Sequence, residues 1–332
     1  MPSSGFFMHL INVMRYNIPA GSYLCKQEDR KSMSAEINTV SSKNWLSDFT
    51  EITKMRLALS VVFSSLAGYL LAVDTVNFLE LIALAAGGYC MVGASNAFNQ
   101  LLEKNLDAQM QRTKNRPLPS NRMLPSTAFI MASFLAVGGI IILYTLNWRT
   151  AFFGTLSILI YVLIYTPLKT RTPLAVFVGA FPGAIPFMLG WVAHTNHFGV
   201  EPGVLFMVQF FWQFPHFWAI AWMLDDDYQK AGFKMLPTGQ KDQGTAFQIL
   251  VYTLWMILIS LLPYTHFTGT LQLSTIGALA VFGVGIVMFY FALDLMQKKD
   301  DEAAKRLMLS SIVYISAVQI IYVIDKFFIY AH

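Results

Sequence analysis

Asn99, Glu103 and Asp107 recur at every fourth position of NQLLEKNLDAQMQRTKNRPLP (99–119), a stretch that directly follows an apolar run. On a helix turning about 100° per residue these positions drift only about 80° around the axis, so they share a face. Two carboxylates one turn apart repel and weaken a bare helix by roughly 0.2–0.5 kcal/mol. A divalent cation reverses that sign. Mg2+ takes one or two carboxylates and completes its shell with water and substrate phosphate. Arg112 and Arg116 follow, with Lys114 between them. Guanidinium forks beside a carboxylate-bound cation suit a diphosphate. The same charges also fit the solvated end of a helix, neutralised by Lys104 and Arg112, and the surrounding elements must decide.

Two other segments concentrate polar residues. In IYVLIYTPLKTRTP, Tyr161 and Tyr165 form an i, i+4 pair, and Thr166-Pro167 predicts a helix break. Lys169 and Arg171 lie just beyond it, where anchoring charge at a membrane surface would serve equally well. In VLFMVQFFWQFPHFWAIAWMLDDDYQKAGFKMLP, Gln209, Gln213 and His216 fall on one helical stripe that continues to Asp227. Pro215 predicts a kink. A buried histidine is often just satisfied by a backbone carbonyl, but the glutamine before His216 and the acidic run after it favour a functional role. The contiguous Asp225, Asp226 and Asp227 cannot share one helix face, so at most one or two can reach a metal. Gly232 and Pro237 predict a cap followed by a loop. Asp325 beside Lys326 predicts snorkelling or pairing near a helix end.

The elements that position these residues follow from composition. Of 332 residues, 55% are hydrophobic and 13% charged, about half the charge of a soluble domain. The apolar residues form nine runs near the ~20 residues a helix needs to cross a bilayer: roughly 55–75, 77–101, 126–146, 150–166, 173–193, 203–224, 247–264, 272–295 and 307–330. They are too long and uniform for a transmembrane barrel. With nine crossings, 21 of the 23 Lys and Arg fall on one face, and only Arg149 and Lys326 on the other. That asymmetry predicts a cytoplasmic N-terminus and a cytoplasmic face for the polar cluster. The net charge of +4 therefore reports topology, not nucleic-acid binding. Cys25 and Cys90 are too far apart for a metal motif. Residues 1–44 read as a flexible or interfacial tail without a signal-peptide pattern, and 45–332 as one all-α, polytopic membrane domain.

Taken together, the 99–119 stretch, YTPLKTRT, the FFWQFPHFWAIAWMLDDDYQKAGFKMLP segment and DFTEITKMRLALSVVFSSLAGYLLA resemble the UbiA-type intramembrane prenyltransferases. RTKNRPLP and WQFPHF…DDYQKAGFKMLP are similar to its heme-modifying branch, the protoheme farnesyltransferases. The resemblance covers about residues 45–330. It implies a nine-helix bundle with a central cavity, open to membrane lipid and capped on the cytoplasmic side of an inner membrane. It implies that Mg2+ is held by Asn99, Glu103 and Asp107, completed by Asp226 or Asp227. It assigns Arg112, Arg116, Lys169 and Arg171 to the diphosphate, with Lys54, Tyr165 and Tyr228 as further substrate contacts. The substrates implied are farnesyl diphosphate, its tail among aromatic side chains, and heme b, with Gln213 and His216 near the heme and His216 able to act as an axial ligand. The product would be heme o, passed to heme A synthase or oxidase assembly proteins. Family members often carry Asp where this chain has Glu103. An aromatic or quinone precursor is the alternative acceptor. A transporter is disfavoured, because no repeated pair of interrupted helices is visible.

Overall fold

A computed structural model describes residues 45–330, which form helices joined by turns and loops, with no strand among them. The tail expected over 1–44 lies outside them. The elements are α1 (Trp45–Ile52), α2 (Met55–Ala72), α3 (Phe78–Asp107), α4 (Pro125–Leu146), α5 (Trp148–Leu168), α6 (Leu174–Thr195), α7 (Val200–Met223), α8 (Asp225–Lys230), α9 (Gln243–Ser260), α10 (Thr275–Lys298) and α11 (Asp301–Phe328). All but α1 and α8 are long and apolar enough to span a membrane, which gives the nine crossings expected among the described residues.

Helix starts follow local chemistry. Asn77 caps α3 by accepting the Leu79 N–H at 3.0 Å, and its own amide donates to Glu80 at 3.1 Å, closing a reciprocal cap. Asp242, Ser274 and Asp300 cap α9, α10 and α11 through the N–H groups of Thr245, Gly277 and Ala303 at 2.7, 3.0 and 2.7 Å. With 30 residues, α3 is about 45 Å long, well beyond a hydrocarbon core of about 30 Å. Its last turns therefore leave the apolar layer, and those turns carry Glu103 and Asp107.

Successive spans pack as neighbours, and α11 returns against α7 and α2. The tightest approach is between α2 and α6. A Cβ at Gly68 would lie 2.0 Å from Phe187 O, and one at Gly190 1.8 Å from Ser65 O. Small residues allow this backbone contact, which substitutes in lipid for a hydrophobic driving force.

Two local expectations are modified, and Pro215 is accommodated within a continuous helix. Thr166-Pro167 does not end α5; residues Ile160–Tyr165 widen into a π-turn, and one further α turn runs to Leu168. The wider turn accommodates a residue that has no N–H to donate. Pro215 lies inside α7, which continues to Met223. Asp325 and Lys326 each pair with a helix end instead of with one another. Asp325 accepts from Ser274 N at 2.8 Å, and Lys326 donates to the terminal α2 carbonyls of Leu71 and Val73 at 2.9 and 2.6 Å.

Gly190→Val should therefore destabilise the detergent-solubilised protein by about 1–3 kcal/mol or more. Gly138→Val, whose Cβ would meet nothing within 4 Å, should leave it unchanged. Thermal unfolding followed by size-exclusion chromatography compares the two.

Candidate active site

The carboxyl end of α3 places Asn99, Glu103 and Asp107 side by side, only 1%, 4% and 1% exposed. Such depth excludes a solvated helix end. Residues 108–124 then fold back over them as a series of turns. Thr113 Oγ1 donates to Asp107 O at 2.8 Å, and one Arg116 guanidinium nitrogen bridges both Asp107 carboxylate oxygens at 2.9 and 2.8 Å. The turns are fastened to α1 by Arg122. Its guanidinium contacts Asp48, donates to Glu51 at 2.6 Å and reaches the Asn115 carbonyl at 2.8 Å.

Lys54 enters from the break between α1 and α2. Its φ of 49° puts it in the left-handed region, which a side-chain-bearing residue occupies at a cost. Two α3 amides secure the carbonyls freed there: Asn96 donates to Thr53 O at 3.0 Å and Gln100 to Ile52 O at 2.8 Å. From α5 and just beyond it come Tyr165 and Lys169. Gly179 makes room for the Tyr165 ring, which would lie 2.7 Å from a Cβ at that position. Lys169 Nζ sits 2.8 Å from Glu103 Oε1 and 4.6 Å from the Tyr165 ring centre, with Phe233 at 5.5 Å on another side. The ammonium approaches Glu103 off the hydrogen-bonding directions, so Oε1 remains a buried acceptor without an aligned donor. The longer arm of Glu103 is what brings its carboxylate to Lys169.

Phe233 arrives through a cap that the sequence hinted at. Gly232 has φ 69°, Gly232 N donates to Gln229 O at 3.0 Å, and Phe233 N donates to Tyr228 O at 2.8 Å. This is a Schellman ending of α8. The Lys234 N–H then fixes the strand-like return on the Lys169 carbonyl at 2.7 Å.

Lys54, Asn99, Glu103, Asp107, Arg112, Arg116, Tyr165, Lys169 and Tyr228 thus line one cavity, together with Met110, Phe233 and Met235. The last three were not among the expected site residues. Arg171, by contrast, is exposed, and neither Gln213 nor His216 lines the cavity. Gln213 donates to Ala180 O at 2.9 Å, while His216 Nδ1 lies 2.7 Å from Ser311 Oγ on α11. Asp226 is exposed. Asp227 accepts from the Arg112 N–H at 3.2 Å and contacts Lys230 at 3.1 Å. Burial would raise the Asp227 carboxyl, but the Arg112 N–H and Lys230 outweigh it and hold it below the usual range.

Four basic and two acidic residues make the cavity a site for a polyanion. Burial would lower the Lys169 ammonium, yet Glu103 and the tyrosines overcome this and hold it above the ordinary lysine value. Lys54 goes the other way. Enclosure of its ammonium, then Arg116 and Lys169, bring it down to about 7 against the pull of Glu103 and Asp107. A magnesium ion fits the donor set: Asn99, Glu103 and Asp107 offer hard oxygens on one helix face, and Glu103 Oε1 lacks an aligned donor. Among the described residues no three His, Cys, Asp or Glu side chains converge as a self-sufficient metal cage, so water or phosphate oxygens would complete the coordination.

A second, apolar cavity lies deeper along the same helices, lined by Val61 and Ser65 of α2, Gly88, Met91, Val92 and Ser95 of α3, Gly154 and Ser157 of α5, and Ile185, Pro186 and Leu189 of α6. Ser95 is one turn below Asn99 on the same face of α3, and Val61 lies about two turns into α2 from Lys54. Aliphatic and small residues, not aromatics, form its wall. The aromatic cluster Phe177, Phe181, Phe206, Phe210 and Phe214 instead packs α6 on α7.

The UbiA prenyltransferase family model matches residues 61–316. The chain belongs to that family. The UbiA fold is also seen in the apo structure of a UbiA homolog from Aeropyrum pernix, with a TM-score of 0.65 at 15% identity, covering 80% of this chain and 98% of that one. A UbiA homolog from Archaeoglobus fulgidus bound to GPP and Mg2+ matches with a TM-score of 0.59 at 10% identity, covering 83% and 99%. A relative from Christiangramia forsetii, called protoheme IX farnesyltransferase, is 61% identical over 286 residues, spanning 86% of this chain and 95% of its own length.

A bound polyanion adds negative charge beside Lys54 and draws it back to the ammonium. Unbound protein carries fewer protons than the complex above pH 7, so pyrophosphate binding should take up protons and weaken as pH rises through about 7. Calorimetry in buffers of different ionisation enthalpy measures this uptake, and Lys54→Met should remove most of it.

Proposed function

We propose that the chain transfers the farnesyl group of farnesyl diphosphate to a vinyl group of protoheme IX, giving heme o, at the cytoplasmic side of an inner membrane. The observation that carries the reading is the pairing of Glu103 with Lys169 and of Asp107 with Arg116 inside one buried cavity, in a chain 61% identical to a protoheme IX farnesyltransferase. These pairs are poised for partner exchange. When a diphosphate enters, Arg116 and Lys169 turn their donors to its oxygens, joined by Lys54 and Arg112, which frees the carboxylates of Glu103 and Asp107. Asn99, Glu103 and Asp107 would hold magnesium, whose charge would help neutralise the leaving group.

Bond cleavage at the first carbon of the farnesyl chain leaves an allylic cation and a diphosphate. The fixed cations stabilise the anion where it develops. Tyr165 and Phe233 present ring faces near the same point and exclude water. The farnesyl tail would run down α3 into the apolar cavity, from Asn99 to Gly88 about 16 Å at 1.5 Å per residue. The vinyl carbon attacks the cation, and water then adds to the resulting heme-centred cation and loses a proton to the released diphosphate, leaving a hydroxyethyl link.

His216 is the candidate heme contact. Ser311 Oγ lies 2.6 Å from Met308 O, to which it can donate; with its proton there, its lone pairs accept from His216 Nδ1–H. Nε2 then keeps the lone pair an iron ligand needs. The stacked Trp212 ring, centred 4.7 Å away, fixes the imidazole plane.

Asp107→Asn and Arg116→Ala should abolish heme o formation while the protein still inserts; spectra of heme extracted from membranes read this, and near-normal heme o in both would refute the site. Gly88, whose Cβ would meet only Val62 at 3.7 Å, tests the tail. Gly88→Leu should reject farnesyl diphosphate while keeping affinity for pyrophosphate. His216→Ala should lower heme retained on purification without changing pyrophosphate binding. Incubation with labelled farnesyl diphosphate and either heme b or 4-hydroxybenzoate separates the heme reading from an aromatic acceptor.

A further inference from the structure

Asn99 is the weakest of the three α3 oxygen donors, since an amide has one oxygen and one nitrogen and only one of them can bind a cation. Its orientation therefore matters, and the structure contains a device that sets it. Asn99 Nδ2 donates to Thr166 Oγ1 at 3.0 Å, and Thr166 Oγ1 donates to Tyr161 O at 2.8 Å. A hydroxyl has one proton. Because that proton goes to Tyr161 O, Thr166 offers Asn99 only lone pairs, and only the NH2 side of the amide can answer them. Oδ1 accepts no hydrogen bond among the described residues, and Asn99 lines the cavity.

The π-turn makes the geometry possible. A helical threonine ordinarily bonds the carbonyl three or four residues back. Here the carbonyl is five back, and Tyr161 O accepts both the backbone N–H and the hydroxyl of Thr166. The widened turn at Ile160–Tyr165 brings that carbonyl into reach. Thr166 is 5% exposed and Asn99 1%, so neither group has solvent as an alternative partner.

We infer that Thr166 is a positioning residue that locks the Asn99 amide with Oδ1 toward the cation and Nδ2 away from it, through the relay Asn99 Nδ2–Thr166 Oγ1–Tyr161 O. The inference rests on the reading of Asn99 as a metal ligand. A flipped amide would set Oδ1 against the hydroxyl lone pairs and its NH2 toward a cation. Partners that orient a metal ligand are typically worth 10- to 100-fold in metal affinity.

The test uses full-length purified protein, Mn2+ as the probe, and pyrophosphate, with free Mn2+ measured by electron paramagnetic resonance. Thr166→Val keeps the shape and removes the relay, and should weaken Mn2+ binding roughly 10- to 100-fold. Thr166→Ser keeps the hydroxyl and should stay near wild type. A carboxylate has two equivalent oxygens and needs no orienting, so Thr166→Val in an Asn99→Asp background should cost little. The inference is overturned if Thr166→Val binds Mn2+ normally, if Thr166→Ser is as weak as Thr166→Val, or if the valine loss is equally large with Asn99→Asp. Asn99→Ala separates the two levels: normal Mn2+ binding there removes the metal-ligand reading itself, whereas weak binding beside a normal Thr166→Val removes only the relay.

Discussion

The structure turns on burying two carboxylates, Glu103 and Asp107, beside the cations Lys169 and Arg116. An unpaired buried charge costs several kcal/mol, so Lys169 and Arg116 are required wherever these acids are enclosed. In the proposed mechanism the same pairing serves exchange. Neither contact is a two-pronged guanidinium fork, and Lys169 meets Glu103 as a single close ion pair. A phosphate and a divalent cation can replace both contacts without leaving any charge bare. The remainder of the molecule holds this balance in place: a span long enough to carry its acids out of the lipid, a loop pinned by Arg122 to α1, and a capped turn that returns Phe233 over Lys169.

Sequence periodicity made much of this legible. The nine apolar runs correspond to nine spanning helices among the described residues, because in lipid every backbone group must be satisfied within a helix and length sets the span. The i, i+4, i+8 spacing of Asn99, Glu103 and Asp107 put them on one face, and the cavity lies on that face. Lys54, Arg112, Arg116, Tyr165, Lys169 and Tyr228 line the same cavity.

What stayed hidden depends on contacts between segments. Helical phase placed Gln213 and His216 on a polar stripe, but phase does not say which neighbour the stripe meets. It meets α6 through Ala180 and α11 through Ser311, away from the cavity. Asp227 is occupied by an N–H from the Arg112 turn, which no pattern within α8 reveals. Phe233 looked like part of a loop; only the left-handed Gly232 turn brings its ring to Lys169. Thr166 looked like the residue before a helix-breaking proline, and the π-turn that makes it a hydrogen-bond relay has no signature in hydrophobic spacing.

The most direct measurement is a structure of the protein with Mn2+ and a non-hydrolysable farnesyl thiodiphosphate, with the metal located by anomalous scattering. Partner exchange predicts a peak about 2.0–2.3 Å from carboxylate oxygens of Glu103 and Asp107, with Arg116 and Lys169 moved onto the phosphates. A metal bound elsewhere, with the Glu103–Lys169 and Asp107–Arg116 pairs intact beside a bound diphosphate, would contradict it.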